Sequence, residues 1–307
     1  MHWIKTELID NGATFLKTTY KDNRFIDENY KKELESYKQK DPYYYTVYCL
    51  GEWGVLGASV SDAAIVSERI NRIDKPLMTG SFDEKGNFEK ETSELIKIYK
   101  LPQKNTAYVI GADTAGEGSD FFAAHVIDVI TGEQTAVLHG LYDEDVFAKQ
   151  VYSLAVYYNN ALVGIEANFS SYPIKELERM GYVNQYVRMT EDTFTHKPKR
   201  SYGFKTTKIT RPIIIAQLVK IVREHCELIN DRKTLEEMLT FVRNEKGRAE
   251  AQNGAHDDLV MALAIAYYIR EQQPFDTQKT NVLEPIYNFS IEKPKNDSFN
   301  SGKITVI

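Results

Sequence analysis

Three acidic positions stand where apolar runs begin or end. Asp113 closes Ala107–Asp113 (AYVIGAD), Glu166 closes Leu162–Glu166 (LVGIE), and the pair Asp257-Asp258 opens Leu259–Ile269 (LVMALAIAYYI). A carboxylate at the end of a buried element is costly without a partner. Three such positions suggest an oxygen cage for divalent cations, and a two-metal site clamps the attacking and leaving oxygens of a phosphate. Each acid alone has a plainer reading. Asp113 is then a turn residue, Glu166 half of a buried ion pair, and one of the Asp257-Asp258 pair an N-cap. Their joint placement favours the metal. Asp257 and Asp258 are about 100° apart on a helix, so one is expected at the cations while the other caps or supports it. Asp120, across the turn from Asp113, is a weaker fourth candidate. His256 could ligate or activate a water, but a lone His at a helix start reads better as a structural hydrogen-bonder in a supporting position.

The second chemical signal is a run of positive charge. Between His196 and Arg223 stand Lys197, Lys199, Arg200, Lys205, Lys208, Arg211, Lys220 and Arg223, with no Asp or Glu. The whole chain carries 38 basic against 44 acidic residues, a net charge of −6. A protein that merely coats nucleic acid is usually basic, so a DNA contact here has to be local. Lys197, Lys199, Arg200, Lys205, Lys208 and Arg211 are the candidates for gripping phosphates. The alternative is a solvated surface.

The elements that position these groups follow from the patterning. Ala107–Asp113, Phe121–Ile130 and Thr135–Tyr142 read as three strands with tight connections, an antiparallel meander. Asp143–Asn159 reads as a helix, Leu162–Glu166 as a buried strand, and a helix capped by Ser170 or Ser171 runs to Met180, stopped by Gly181. In this β-β-β-α-β-α order, a right-handed helical crossover lays the fourth strand parallel to the first. Asp113 and Glu166 then share the edge where α/β folds place their chemistry. The fold class expected is α/β: an RNase H/RuvC-like mixed sheet, three antiparallel strands then parallel strands, flanked by helices. Ile213–Arg223, Leu235–Val242 and Leu259–Ile269 read as helices, the last apolar all round and therefore buried.

The 307 residues, 42% hydrophobic and 27% charged, have ordinary globular composition. No apolar run approaches a membrane span, and the opening lacks a secretory h-region. Cys49 and Cys226 have no metal spacing and are expected as free thiols in a cytoplasmic protein. No phosphate-cradling G-x-x-x-x-G-K-[ST] loop occurs, so ATP hydrolysis is not expected. His2–Ile9 reads as a short helix, Ala13–Thr19 as a strand and Asp27–Gln39 as a charged helix. Residues 1–58 look like the end of something larger, 59–104 like a linker with a turn at Gly80–Asn87, 105–272 like the catalytic domain, and 273–307 like a loosely ordered tail.

Taken together, these motifs resemble the large terminase subunit of tailed bacteriophages and prophages. The likeness rests on Tyr108–Asp120 (YVIGADTAGEGSD), Gly164-Ile165-Glu166, Gly203–Arg211 (GFKTTKITR) and Gly247–Ala262 (GRAEAQNGAHDDLVMA), covering about 105–271. Thr18–Phe25 and Gly51–Gly54 resemble the end of that family's packaging ATPase domain. The resemblance implies a divalent-metal-dependent endonuclease that cuts concatemeric viral double-stranded DNA at the start and end of packaging. It implies Mg²⁺ or Mn²⁺, two ions, with Asp113, Glu166 and Asp258, and Asp257 beside it, as metal-binding carboxylates. It also implies a small terminase subunit and a portal ring as partners, no membrane, and the cytoplasm of the bacterial host. Most of the ATPase is missing, so a fragment or truncated gene product is expected, unable to translocate DNA alone. A junction-resolving nuclease on the same fold, or a non-catalytic docking module of the packaging motor, are the competing readings.

Overall fold

The computed structural model describes residues 12, 14, 16, 18–40, 45, 49–51, 59–92, 95–114, 121–191, 197–244, 247–252 and 254–272. Its helices are α1 (Glu28–Lys40), α2 (Ala63–Asn71), α3 (Glu144–Tyr157), α4 (Tyr172–Arg179), α5 (Thr210–His225), α6 (Arg232–Thr240) and α7 (Asp258–Ile269). Its strands are β1 (Met78–Phe82), β2 (Phe88–Lys90), β3 (Ile96–Ile98), β4 (Tyr108–Asp113), β5 (Phe122–Asp128) and β6 (Gln134–Gly140). They continue with β7 (Leu162–Ile165), β8 (Val187–Glu191), β9 (Pro198–Tyr202), β10 (Phe241–Arg243) and β11 (Ala249–Ala251). The chain forms two compact units. One comprises Asp74–Leu218, Leu228–Asp231 and Met261–Ile307; the other comprises Met1–Ile73, Val219–Glu227 and Arg232–Val260.

The first unit is built on a seven-stranded sheet in the order β2-β1-β3-β6-β5-β4-β7. β4, β5 and β6 form the expected antiparallel meander, and β7 returns parallel to β4 after α3. This is the RNase H-like arrangement, a mixed α/β sheet. One expectation needs correction. Residues 59–104 are not simply a linker, because β1, β2 and β3 extend the same sheet antiparallel beyond β6. The Gly80–Asn87 stretch contains the turn that folds β1 onto β2, closed by Asp83 N–H to Asn87 O at 2.9 Å and Gly86 N–H to Asp83 O at 3.0 Å. β2 and β3 have three residues each, too short to show a period in the sequence.

The sheet's two faces are set by alternation. Tyr108, Ile110 and Ala112 of β4 join Val163 and Ile165 of β7 in a core with Phe147, Val151 and Leu154 of α3 and Leu177 of α4. The opposite face carries Gly111. A Cβ there would lie 2.1 Å from Ala266 N and 2.6 Å from Ala262 O, so α7's backbone rests directly on β4. Only glycine permits that approach. The α4 cap is Ser170, whose hydroxyl accepts Tyr172 N–H at 3.0 Å; Ser171 makes no such bond.

The second unit contains α1, α2, α6 and the β10–β11 hairpin. Its N-terminal part has a small cluster of Leu34, Tyr45 and Cys49. Arg232 of α6 donates to Ile70 O of α2 at 2.9 Å, and Ser59 bridges Val242. The helix expected over Leu235–Val242 stops at Thr240, and Phe241–Arg243 pairs with Ala249–Ala251 instead. Aromatic and β-branched residues before an Asn244/Gly247 turn favour the hairpin. The described residues of Ala13–Thr19 form no strand, while the helix expected over Asp27–Gln39 is present as α1, Glu28–Lys40. The expected helix over His2–Ile9 and the tail from 273 lie outside the described residues.

Candidate active site

Strand register puts two of the acids side by side. Val109 pairs with Leu162, and Ala112 with Ile165, across the parallel β4–β7 ladder. Asp113 and Glu166 come next on neighbouring strands, both at the C-terminal end. Each is two residues beyond a glycine, Gly111 or Gly164, that faces Ala262, Ala266 or Ile269 of α7. By alternation both carboxylates stand on that same face. Both are buried, Asp113 at 9% and Glu166 at 5% exposure.

Glu166 is held from both sides. Its N–H donates to Ala112 O at 2.9 Å, and beyond it Phe204 closes the sheet edge. Phe204 N–H reaches Ile165 O at 2.7 Å, and Ala167 N–H reaches Phe204 O at 2.8 Å. Gly203 makes this possible. Its φ of +82° lies in the left-handed region, and a Cβ would crowd Ile165 O at 3.0 Å. Among the described residues no Lys, Arg or His pairs with the Glu166 carboxylate. A buried carboxylate with no cation opposite it is expensive, and a divalent ion would complete it. The donors therefore fit the group in kind: hard oxygens, largely dehydrated. Among the described residues, no three His, Cys, Asp or Glu side chains lie close enough to form a metal-holding group. Asp120 lies outside the described residues.

In the other unit, Asp257 precedes α7 and Asp258 is its first residue. The Asp258 carboxylate stands 3.7 Å from His256 Nδ1, and the His256 side chain is 43% exposed. A further acid joins them. Glu237 of α6 accepts Leu259 N–H at 2.9 Å and Val260 N–H at 3.4 Å on one oxygen, Oε2. Burial, and next the Asp258 carboxylate, push the Glu237 carboxyl well above the usual range.

The basic residues lie on either side of the buried Gly203-Phe204 pair. Lys197, Lys199 and Arg200 are exposed in or just before β9, and Lys205 and Lys208 on the loop from β9 to α5; Arg211, in the first turn of α5, is partly exposed. That loop is clipped to the chain after Glu166. Asn168 donates to Thr206 O at 2.6 Å and accepts Thr206 N–H at 3.1 Å. Thr207 caps the start of α5, its hydroxyl accepting Thr210 N–H at 3.0 Å, while Thr210 donates to Lys205 O at 2.9 Å. The lysines thus leave from a fixed loop whose first bridge is to Glu166 itself.

Residues 2–52 match the family model described as phage terminase large subunit. The chain is similar to terminases at that end. Among solved structures, the chain is similar to the large terminase nuclease from thermophilic phage G20c, at 18% identity and a TM-score of 0.47. That match covers 69% of this chain and 98% of the other. The Thermus phage P74-26 large terminase nuclease domain is similar at 19% identity and a TM-score of 0.43, over 66% of this chain and 94% of that one. The G20c terminase nuclease has also been solved with bound magnesium, and that structure matches at 17% identity and a TM-score of 0.48, over 70% and 98%.

The terminase-like motifs of the sequence include Asp113, Glu166, Asp257 and Asp258 but not Glu237. Only one local signal marked it. It stands between Leu235 and Met238, which are buried, on a helix with an otherwise polar flank. Its meeting with the start of α7 is a tertiary contact that no sequence period encodes.

Proposed function

We propose that this chain is the nuclease part of a phage terminase large subunit, a divalent-metal-dependent endodeoxyribonuclease that cuts concatemeric viral double-stranded DNA during packaging. The observation that carries the reading is the juxtaposition of buried Asp113 and Glu166 at the ends of adjacent parallel strands, Glu166 with no cationic side chain paired to it among the described residues. The terminase match at residues 2–52 supports the same assignment.

In this reading Asp113, Glu166 and Asp258 hold two Mg²⁺ or Mn²⁺ ions, with Asp257 beside Asp258 and Asp120 as a weaker contributor. When bound, such ions activate the attacking water and neutralise the charge that develops on the phosphate. The chain's own residues supply the rest. The strand ends fix the two carboxylates at a spacing set by the sheet, and burial keeps water from competing for them. Lys197, Lys199, Arg200, Lys205, Lys208 and Arg211 hold the DNA backbone without reading its sequence. His256, beside Asp258, steadies that carboxylate. The small terminase subunit and the portal ring are the proposed partners, in the host cytoplasm.

Plasmid nicking tests this. Supercoiled DNA with the protein and Mg²⁺ or Mn²⁺ should become nicked and linear, EDTA should abolish the change, and Asp113→Ala should be inert. Cleavage that persists in EDTA, or in Asp113→Ala, would contradict it.

A further inference from the structure

The start of α7 has an unusual cap. Asp257 precedes the helix, and Asp258, Leu259 and Val260 are its first three residues. An N-cap side chain ordinarily accepts the N–H groups of the second and third helical residues. Here those belong to Leu259 and Val260, and the oxygen that takes both comes from Glu237, 22 and 23 residues earlier in the chain. A capping group is thus supplied by α6.

Glu237 itself is partly buried. What the longer side chain from α6 adds is a tie between two elements at the turn on which Asp258 stands.

We propose that Glu237 is a positioning residue, which caps α7 from α6 and thereby fixes Asp258, with Asp257 beside it, for cation binding. This rests on the reading of Asp258 as a cation ligand given above. Groups that orient a ligand typically contribute 10–100-fold to metal affinity, roughly the effect expected here.

The test compares the 307-residue wild type with E237A, E237Q and D258N, without DNA. Hydrogen exchange reads the Leu259 and Val260 amides, Mn²⁺ titration by calorimetry reads affinity, and thermal melts confirm folding. E237A should exchange at these amides roughly five-fold faster or more, and bind Mn²⁺ roughly ten-fold more weakly. E237Q, whose amide oxygen still accepts both N–H groups, should keep exchange and affinity within about two-fold of wild type. Unchanged exchange in E237A would overturn the cap. Faster exchange with unchanged Mn²⁺ affinity would overturn the positioning role. E237Q as weak as E237A would show that the charge itself binds the ion, making Glu237 a ligand. If D258N binds Mn²⁺ like wild type, the assignment of Asp258 fails, and the positioning role with it. If D258N is impaired and E237A is not, only the inference about Glu237 fails.

Discussion

Asp113 and Glu166 follow directly on Ala112 and Ile165, which are register partners on neighbouring parallel strands. Parallel strands lie about 4.8 Å apart, so the sheet itself sets the separation of the two carboxyl-bearing backbones. No loop has to close to bring them together. The pair is therefore as rigid as β4 and β7, both buried along their whole length.

The close packing behind this pair gives a first prediction. A Cβ at Gly111 would sit 2.1 Å from the backbone nitrogen of Ala266, and backbone cannot swing aside as a side chain can. Gly111→Ala should lose about 1–3 kcal/mol of stability, as overpacked cores do. Chemical denaturation measures this. A midpoint equal to wild type would mean that α7 does not rest on β4 as described.

The basic loop gives the second. Replacing Lys205, Lys208 and Arg211 by Ala should weaken binding to double-stranded DNA regardless of sequence. It should also flatten the salt dependence by roughly 0.9 in log–log slope for each phosphate no longer neutralised. Titrations of labelled duplex at several salt concentrations give the slope directly, and an unchanged slope would return these residues to ordinary solvated surface.

Thiol chemistry gives the third. Burial pushes the Cys226 thiol up to about 11, and burial also raises that of Cys49. Both are free and buried. At pH 8 the thiolate, which is the reactive form, is then a fraction of roughly one in a thousand for Cys226. Reactivity should increase only as pH climbs toward 11, or on unfolding. Ellman's reagent should find no fast-reacting thiol in the native protein at pH 8 and two after denaturation; a rapid native reaction would contradict the burial.

How much of this was legible in the sequence varied from element to element. YVIGAD and LVGIE are buried on both faces and declare themselves as apolar runs, so β4, β7 and their terminal acids could be read directly. The β-β-β-α-β order then fixed their neighbours through the handedness of the crossover. β1, β2 and β3 could not be read that way. Three-residue strands carry no period, and what makes Ile96–Ile98 a strand is its partner Ala136–Leu138. Phe241 and Val242 continued the helical pattern of Leu235–Val242, until pairing of Phe241–Arg243 with Ala249–Ala251 took them over. Glu237 was illegible for a similar reason, because its role lies in what α6 meets and not in α6 itself. The Gly203–Arg211 motif was visible as charge, but its attachment beside Glu166 depends on the Phe204 bridge and the Asn168 clip.

The central claim, that Asp113 and its neighbours gather divalent cations for DNA cleavage, is tested most directly by Asp113→Asn. The substitution keeps the shape and removes the charge. Melting temperature is measured with and without Mn²⁺, beside plasmid cleavage on the same samples. Binding to the folded state alone raises the melting temperature, so wild type should be stabilised by Mn²⁺ and Asp113→Asn should lose much or all of that gain. Without metal the variant should be as stable as wild type or more so, because carboxylate repulsion is relieved. Its cleavage should fall by roughly 1,000-fold or more. An Asp113→Asn protein that keeps the full Mn²⁺-induced stabilisation, or that cuts plasmid at the wild-type rate, would contradict the account.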